Sequence, residues 1–470
     1  MAFYNRTTNR AIGRGKTKKK VEKRKYRRKV FQSIRGMRDI LPSDCVYYDY
    51  ILQQAKKIFN FYGFKRMEPP ILERLELFTK GVGVNTEIVE KEMYTLKTKD
   101  EGEILALRPE YTAGIARAYV ENGMSNLVQP VKLYSFGPVF RHEKPQAGRF
   151  RQFYQLNLEA IGEGDPVIDV EVILAAKAFL ESLGLKSSQL RLKINSIGCS
   201  ICRPGYIKAL KKYYSKHLKE ICTLCQERLK TNPLRLLDCK NEKCQPFKEE
   251  APFSLDYLCP DCREHFKKVL EVLDSLDVPY ALDKTLVRGL DYYTKTVFEF
   301  FAVEEYKNEE GIIQEKKTLA VAGGGRYDDL IKIFGGSEKP AVGVAFGVER
   351  LISVLKQKEK KIISPQPLVF LVQIGDTAQR KALSILEEFR HENIALAENL
   401  GKSSLRAQLQ NADKLNVHYA LILGQKEVID GMIILRDMRS GVQELIPLTS
   451  VISVIKKYLR QDATSSHSKK

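Results

Sequence analysis

Apolar residues recur at helical spacing through Tyr47, Ile51, Ala55, Ile58 and Tyr62, which predicts a helix capped by Ser43 and stopped by Gly63. The pattern then shifts to short apolar, β-branched runs. The run 64–71 reads as a strand broken by Pro69-Pro70, hence an edge or interface. Further strands are predicted at 104–107, 131–139, 153–161, 190–197, 297–302 and 317–322. Many strands with few helices between them predict an α+β fold, an antiparallel sheet flanked by helices. Over 198–272 the texture becomes short helices, paired cysteines and turn residues, a helical insertion that splits the main unit into 31–197 and 273–357. A Lys/Glu run at 356–361 and Ser364-Pro365-Gln366-Pro367 read as a linker. Beyond it, strands at 368–373, 394–398, 419–423 and 432–436 alternate with helices at 377–392 and 403–415. That order predicts a separate α/β unit over 366–460 with a small parallel or mixed sheet, followed by a polar tail at 461–470.

A chain of 470 residues is long enough for about three domains without disulfide staples. No stretch approaches the roughly 20 consecutive apolar residues of a membrane span, so a helical membrane protein is excluded. The net charge is +20, yet residues 1–30 alone hold thirteen basic side chains against Glu22. This tail is expected to be disordered until it meets a polyanion; the modest bias of the remainder fits a nucleic-acid partner without requiring one. The start has neither a secretory apolar core nor a Ser-rich amphipathic pattern, and the expected location is cytoplasmic.

Four segments carry candidate chemistry. Gly137-Pro138-Val139-Phe140-Arg141-His142-Glu143 and Gly148-Arg149-Phe150-Arg151-Gln152-Phe153 read as two antiparallel strands joined by a long loop. Arg141 and Glu143 share a face at strand period, and an arginine fork suits a phosphate, with a structural Arg–Glu pair as the alternative. Arg288-Gly289-Leu290-Asp291-Tyr292-Tyr293 sets an arginine and two tyrosines beside a glycine that lets a ligand approach the backbone. Ala322-Gly323-Gly324-Gly325-Arg326-Tyr327-Asp328 reads as a tight turn before a helix rather than a phosphate cradle, because no Lys-Ser/Thr follows. Small residues at 341–347 would let a strand and helix pack closely, ending in Arg350.

Eight of the nine cysteines crowd into 199–262, which excludes a chain-wide disulfide framework. Cys199-x2-Cys202, Cys222-x2-Cys225, Cys239-x4-Cys244 and Cys259-x2-Cys262 have structural-zinc spacing, and two such pairs can make one four-thiolate site. The candidate quartet is Cys222, Cys225, Cys259 and Cys262, giving about one zinc per chain, with reduced thiols as the alternative.

Taken in order, these motifs resemble the histidyl-tRNA synthetase family of class II aminoacyl-tRNA synthetases, from about Phe31 to Leu459. Arg35-Gly36-Met37-Arg38-Asp39 is similar to the family's opening segment. The stretch ending at Pro70, the strand-loop-strand around Arg141 and the helix carrying Arg350 resemble the class's three motifs. The segments at Arg288 and Gly323 resemble the two histidine-specific ones. The unit over 366–460, with Leu405, Gln408, Leu409 and Ala412-Asp413-Lys414, is similar to the anticodon-binding domain.

The resemblance implies ATP-dependent ligation of L-histidine to tRNA(His) through a histidyl-adenylate, with Mg²⁺, by a homodimer joined through the segment ending at Pro70. It implies that Glu110, Tyr111, Thr112, Gln155, Glu159, Tyr292 and Tyr293 bind histidine. Arg141, Glu143, Arg149, Phe153, Arg288 and Arg350 would bind ATP, with Arg141 and Arg288 catalytic on the α-phosphate. Gln146 would reach the tRNA acceptor end. It does not by itself imply a metal in the insertion. A non-catalytic relative that regulates histidine biosynthesis should lack Arg141, Arg288 or the C-terminal domain, all of which are present. A generic RNA-binding protein would account for the tail alone.

Overall fold

A computed structural model describes residues 31–84, 86–98, 102–144, 149–307, 313–358, 362, 367–401 and 404–467. The basic tail and Gln146 lie outside the described residues. The first helix, Pro42–Phe61, starts one residue before Ser43, which does not cap it: Pro42 takes the first helical position, where its missing N–H costs nothing and its φ is already helical. Gly63 stops it, at φ +83°, with its N–H donated to the Asn60 carbonyl at 3.1 Å. The buried stripe is Tyr48, Ile51, Ala55 and Phe59. Phe59 packs on Phe179 and Phe346 at ring-centroid distances of 5.2 and 6.2 Å, so this helix, the helix Pro166–Ser182 and the sheet meet in one aromatic cluster.

The sheet has eight strands in the spatial order Lys65–Arg66, Val131–Phe140, Gln152–Ile161, Ala341–Gly347, Ile313–Arg326, Thr294–Lys307, Leu190–Ser196, Tyr280–Leu282. All interior pairs are antiparallel, and only the two edge strands run parallel to their neighbours. The run predicted as one strand at 64–71 pairs only at Lys65–Arg66, because prolines at 69 and 70 have no N–H to donate. The chain resumes at Leu72–Arg74 in a separate three-stranded sheet with Thr95–Lys97 and Ile104–Leu107. Gly323, Gly324 and Gly325 lie inside the strand Ile313–Arg326 instead of forming the predicted turn. Their lack of side chains serves close packing: a Cβ at Gly323 would collide with the Arg288 guanidinium, and one at Gly324 with the Gly343 carbonyl.

The insertion leaves the sheet after Ser196 and has its own small core around Tyr206, Leu210, Leu229 and Leu236. It ends earlier than predicted. The helix Pro260–Ser275 buries Phe266, Val269 and Leu273 in the main core, and its His265 lies 2.8 Å from Asp169 on Pro166–Ser182. The C-terminal unit is a five-stranded sheet ordered Leu396–Glu398, Val369–Gln373, Tyr419–Leu423, Met432–Asp437, Gln443–Pro447, parallel across the first three and antiparallel after. The last strand is mostly exposed, with Ile446 its one buried residue, so its sequence carries no apolar alternation. Within the stretch read as a polar tail, a helix continues over Val451–His467, pinned where Asp462 accepts hydrogen bonds from Tyr419 (3.0 Å) and Arg439 (2.8 Å). Among the described residues no helix is long and apolar enough to cross a membrane.

Candidate functional site

A cleft of about 680 Å³ opens on the large sheet and is walled on one side by the insertion. Glu110, Thr112, Arg141, Glu143, Arg149, Phe153, Gln155, Arg288, Tyr292, Tyr293 and Arg350 all line it, although they come from segments up to 240 positions apart. The strand Val131–Phe140 ends just before Arg141, so the expectation that Arg141 and Glu143 share a strand face does not hold. Arg141 is placed instead by its backbone N–H to the Arg151 carbonyl (2.9 Å) and its Nε to the Pro109 carbonyl (2.9 Å), and its guanidinium sits 5.5 Å from the Phe153 ring centroid. Arg149 pairs with Glu143 at 3.0 Å. Arg350, on the helix Val348–Gln357, donates to the Ala320 carbonyl at 2.8 Å, beside a register slip between Ala320 and Ala322. A bulge of this kind re-aims groups next to a site. Burial lowers the Arg350 pKa from its usual value and nearby Arg149 lowers it further. Clustered cations of this kind favour a bound polyanion.

Arg288 crosses the other side of the cleft, 3.4 Å from Glu299 and 5.7 Å from the Tyr293 ring centroid. The Tyr292 and Tyr293 rings are 4.7 Å apart, and the Tyr292 hydroxyl donates to Glu110 at 3.4 Å. Glu110 also accepts the N–H groups of Thr112 (2.7 Å) and Ala113 (2.8 Å), closing the first turn of the helix Thr112–Glu121. Burial raises its pKa even so. The Gln155 side-chain carbonyl is buried without a partner, as is that of Asn157, and both residues face the cleft. Buried acceptors are ordinarily paired, by protein, ligand or ordered water, so these two oxygens suit a partner that brings donors.

Two predicted histidine contacts stand elsewhere. Tyr111 turns away from the cleft: its hydroxyl accepts from Arg108 at 2.5 Å and donates to Glu68 at 2.7 Å, with the Arg108 guanidinium 4.1 Å from its ring centroid. A side chain next to a helix start alternates in direction with Glu110, and Tyr111 fills the space that Gly137 leaves open, where a Cβ would strike its hydroxyl. Glu159 lies one layer beneath the cleft surface, accepting from Thr112 (2.7 Å) and Tyr327 (2.6 Å), opposite Gly343. Burial pushes its pKa up to about 7. The quartet Cys222, Cys225, Cys259 and Cys262 does not assemble: Cys222 and Cys225 meet Cys239 and Cys244, while Cys259 and Cys262 meet Cys199 and Cys202. Spacing defines each pair, but only the fold decides which pairs meet.

Sequence reasoning missed Tyr327 as a site group, although it sits in a motif already singled out. It missed Glu299 and the insertion's contribution entirely. Arg228 and Arg235 pair with Glu87 at 2.6 and 3.4 Å, and Asn232 donates to Asp291 at 2.9 Å, gripping the segment that carries Arg288. No local pattern marks these three.

The matching family models are Histidyl-tRNA synthetase over residues 36–351 and Anticodon binding domain over 368–458. The chain is 44% identical over 434 residues to the histidine--tRNA ligase of Dehalococcoides mccartyi (strain ATCC BAA-2266 / KCTC 15142 / 195), covering 92% of this chain and 100% of that protein. It is 42% identical to that of Acetivibrio thermocellus, covering 90% and 99%. Its structure is similar to the crystal structure of apo S. aureus histidyl-tRNA synthetase, with TM-score 0.72 and 33% identity over 90% of this chain and 99% of that one. With the family model spanning most of its length and relatives of this identity aligned nearly end to end, the chain belongs to the histidyl-tRNA synthetase family.

Proposed function

We infer that the cleft activates L-histidine with ATP and passes it to tRNA(His), as a histidine--tRNA ligase. The observation that carries this reading is that Arg141, Arg149, Arg288 and Arg350 line one cleft together with Gln155, Glu110 and two tyrosines. A polyanion and a small polar cation thus each have groups that suit them. A histidine carboxylate oxygen attacks the α-phosphorus, the bond to pyrophosphate breaks, and histidyl-adenylate forms. Negative charge building on the phosphoryl oxygens meets Arg141 and Arg288 from opposite sides. Arg149 and Arg350 hold the outer phosphates and adenine end, with Phe153 as the stacking surface and Glu143 at its edge. Glu299 is a carboxylate of the kind that would hold Mg²⁺ brought with ATP, which would supply charge neutralisation at the phosphates. Orientation supplies much of the remaining acceleration, and no protein nucleophile is needed.

The orphaned Gln155 oxygen suits the substrate's ammonium group, and Glu159, behind Thr112, adds negative charge there. Tyr292, Tyr293 and Glu110 suit the imidazole. In the second step a terminal ribose hydroxyl of tRNA attacks the acyl carbon and AMP leaves. The loop between Arg141 and Arg149, including Gln146, joins two cleft-lining ends and is our candidate for the acceptor contact. The unit after Pro367 would read the anticodon. Dimerisation is supported by Ile71, Leu72, Leu96 and Ile104, exposed apolar residues on or beside the small three-stranded sheet. Nine free cysteines fit a reducing, cytoplasmic setting. The test is ATP–pyrophosphate exchange with each of the twenty amino acids. Exchange dependent on histidine alone is expected, and exchange with another amino acid at a comparable rate would refute the reading.

A further inference from the structure

Eight cysteines form two separate quartets, Cys199, Cys202, Cys259 and Cys262, and Cys222, Cys225, Cys239 and Cys244, each with all four sulfurs within 4.8 Å of one another. The spacings are 3.7 Å for Cys199–Cys202, 4.0 Å for Cys199–Cys259 and 3.8 Å for Cys222–Cys239. A tetrahedral ion with bonds to sulfur of about 2.3 Å holds its ligands about 3.8 Å apart. A disulfide would bring them to about 2.05 Å, and none of the nine cysteines is so bonded. Backbone N–H groups point at the sulfurs: Cys259 at Cys202 (3.0 Å), Cys222 at Cys244 (3.3 Å) and Asn241 at Cys239 (3.4 Å). Such donors stabilise thiolates that a metal has deprotonated. Four soft sulfur ligands, with no carboxylate or imidazole in either quartet, select zinc over magnesium or calcium, and a closed set leaves no position for a reacting water.

We propose that the chain holds two structural zinc ions, one in each quartet, and that they serve different parts of the cleft. The first closes the root of the insertion. Cys199 and Cys202 follow the strand Leu190–Ser196, while Cys259 and Cys262 begin the helix that re-enters the core, so one ion ties the outgoing chain to the returning one. Gly198, at φ +68°, makes room for it: a Cβ there would come within 2.6 Å of the Cys202 Cβ. Arg203, next in sequence, donates to the Tyr293 carbonyl, which links this root to the tyrosine pair.

The second ion forms the cleft wall itself. Cys222 and Cys239 line the cleft, and the chain between them carries Arg228, Asn232 and Arg235. These hold Glu87 and Asp291, and Arg235 lies where a Cβ on Gly289 would meet it at 2.6 Å, one residue from Arg288. The insertion's own apolar core is small, so the free energy of metal binding is the free energy that orders this wall.

The full-length chain, purified without chelator, should contain two zinc ions by native mass spectrometry and elemental analysis. One ion, none, or iron in place of zinc would overturn the proposal. Cys225→Ser with Cys244→Ser should leave one zinc, speed amide exchange over 222–250 and over 286–292, and raise the KM for histidine more than it lowers kcat. A variant that retains two ions refutes the quartet assignment. Should that variant fold poorly, alkylation of the wild-type chain decides the matter. The eight cysteines should resist the reagent until zinc is chelated, and equal labelling before and after chelation counts against both sites. Because metal content is read independently of catalysis, its failure leaves the ligase reading standing, and the reverse also holds.

Discussion

Glu159 illustrates how burial and a neighbouring glycine set the behaviour of a single side chain. Its carboxyl is 1% exposed and its pKa is pushed up to about 7 from 4.5, with burial the largest cause. A carboxyl whose folded pKa is raised contributes stability that is fully present below its unfolded value and is lost as pH climbs through about 7. The difference in unfolding free energy between wild type and Glu159→Gln should therefore move in favour of the variant by on the order of 3 kcal/mol between pH 4 and pH 8. Urea titrations across that range would check it, and saturating histidine should shrink the slope, since a bound ammonium stabilises the carboxylate. Tyr111 makes the opposite kind of prediction. It supports Arg108 and Glu68 instead of the substrate, so Tyr111→Phe should lower the melting temperature while leaving the histidine KM within about twofold, given a lost buried hydrogen bond of roughly 1–3 kcal/mol. A large rise in that KM would restore it to the histidine site. Arg288→Ala should cost roughly 3 kcal/mol or more in the barrier, as for a removed oxyanion donor, which pyrophosphate exchange on a folded variant would read.

Between elements, buried charge does what apolar packing does elsewhere. Arg326 and Asp169 are both 0% exposed and form an ion pair at 2.6 Å; His265 lies 2.8 Å from Asp169, and Asp328 lies 3.1 Å from Arg326. That network joins the glycine strand, the helix Pro166–Ser182 and the helix returning from the insertion. Asp169→Asn takes the nearer carboxylate from a fully buried guanidinium and leaves Asp328 as its remaining ion-pair partner, so it should destabilise the chain by up to about 3–5 kcal/mol, measured as a shift in the denaturation midpoint. Arg326 was legible as part of a motif, but its job in holding elements together was not, because Asp169 lies in an apolar helix with nothing local to mark it. The insertion repeats the lesson. Cys-x2-Cys spacing marks three knuckles and Cys-x4-Cys a fourth, whereas the pairing of the first with the last follows from the strand and helix that carry them.

At the scale of the whole molecule, the cleft exists only because strands remote in sequence lie side by side, Gln152–Ile161 next to Ala341–Gly347 and the latter next to Ile313–Arg326. Selectivity belongs to this scale: a site that hydrogen-bonds its substrate rejects analogues that leave polar groups unpaired by roughly 10⁴-fold or more, so phenylalanine should not be activated measurably. The thirteen basic residues of 1–30 should add affinity for tRNA without choice, since counterion release carries no base information. Deleting them should weaken cognate and non-cognate tRNA alike and flatten the salt dependence, with histidine-dependent exchange unchanged. Loss of cognate preference with an intact salt slope would make the tail a specificity element.

Periodicity and turn chemistry by themselves determined the first helix, most of the sheet's strands, the alternating C-terminal unit and the ordered motifs, because each is encoded within about ten residues of chain. Tertiary structure alone decided that Tyr111 turns inward, that Glu159 sits beneath the surface, that Asp462 anchors a helix where a polar tail was expected, and which cysteines meet. In each case the deciding partner, Gly137, Thr112, Arg439 or a distant cysteine pair, is supplied by another element. Burial and pairing across the fold are properties of contacts between segments, and no local pattern carries them.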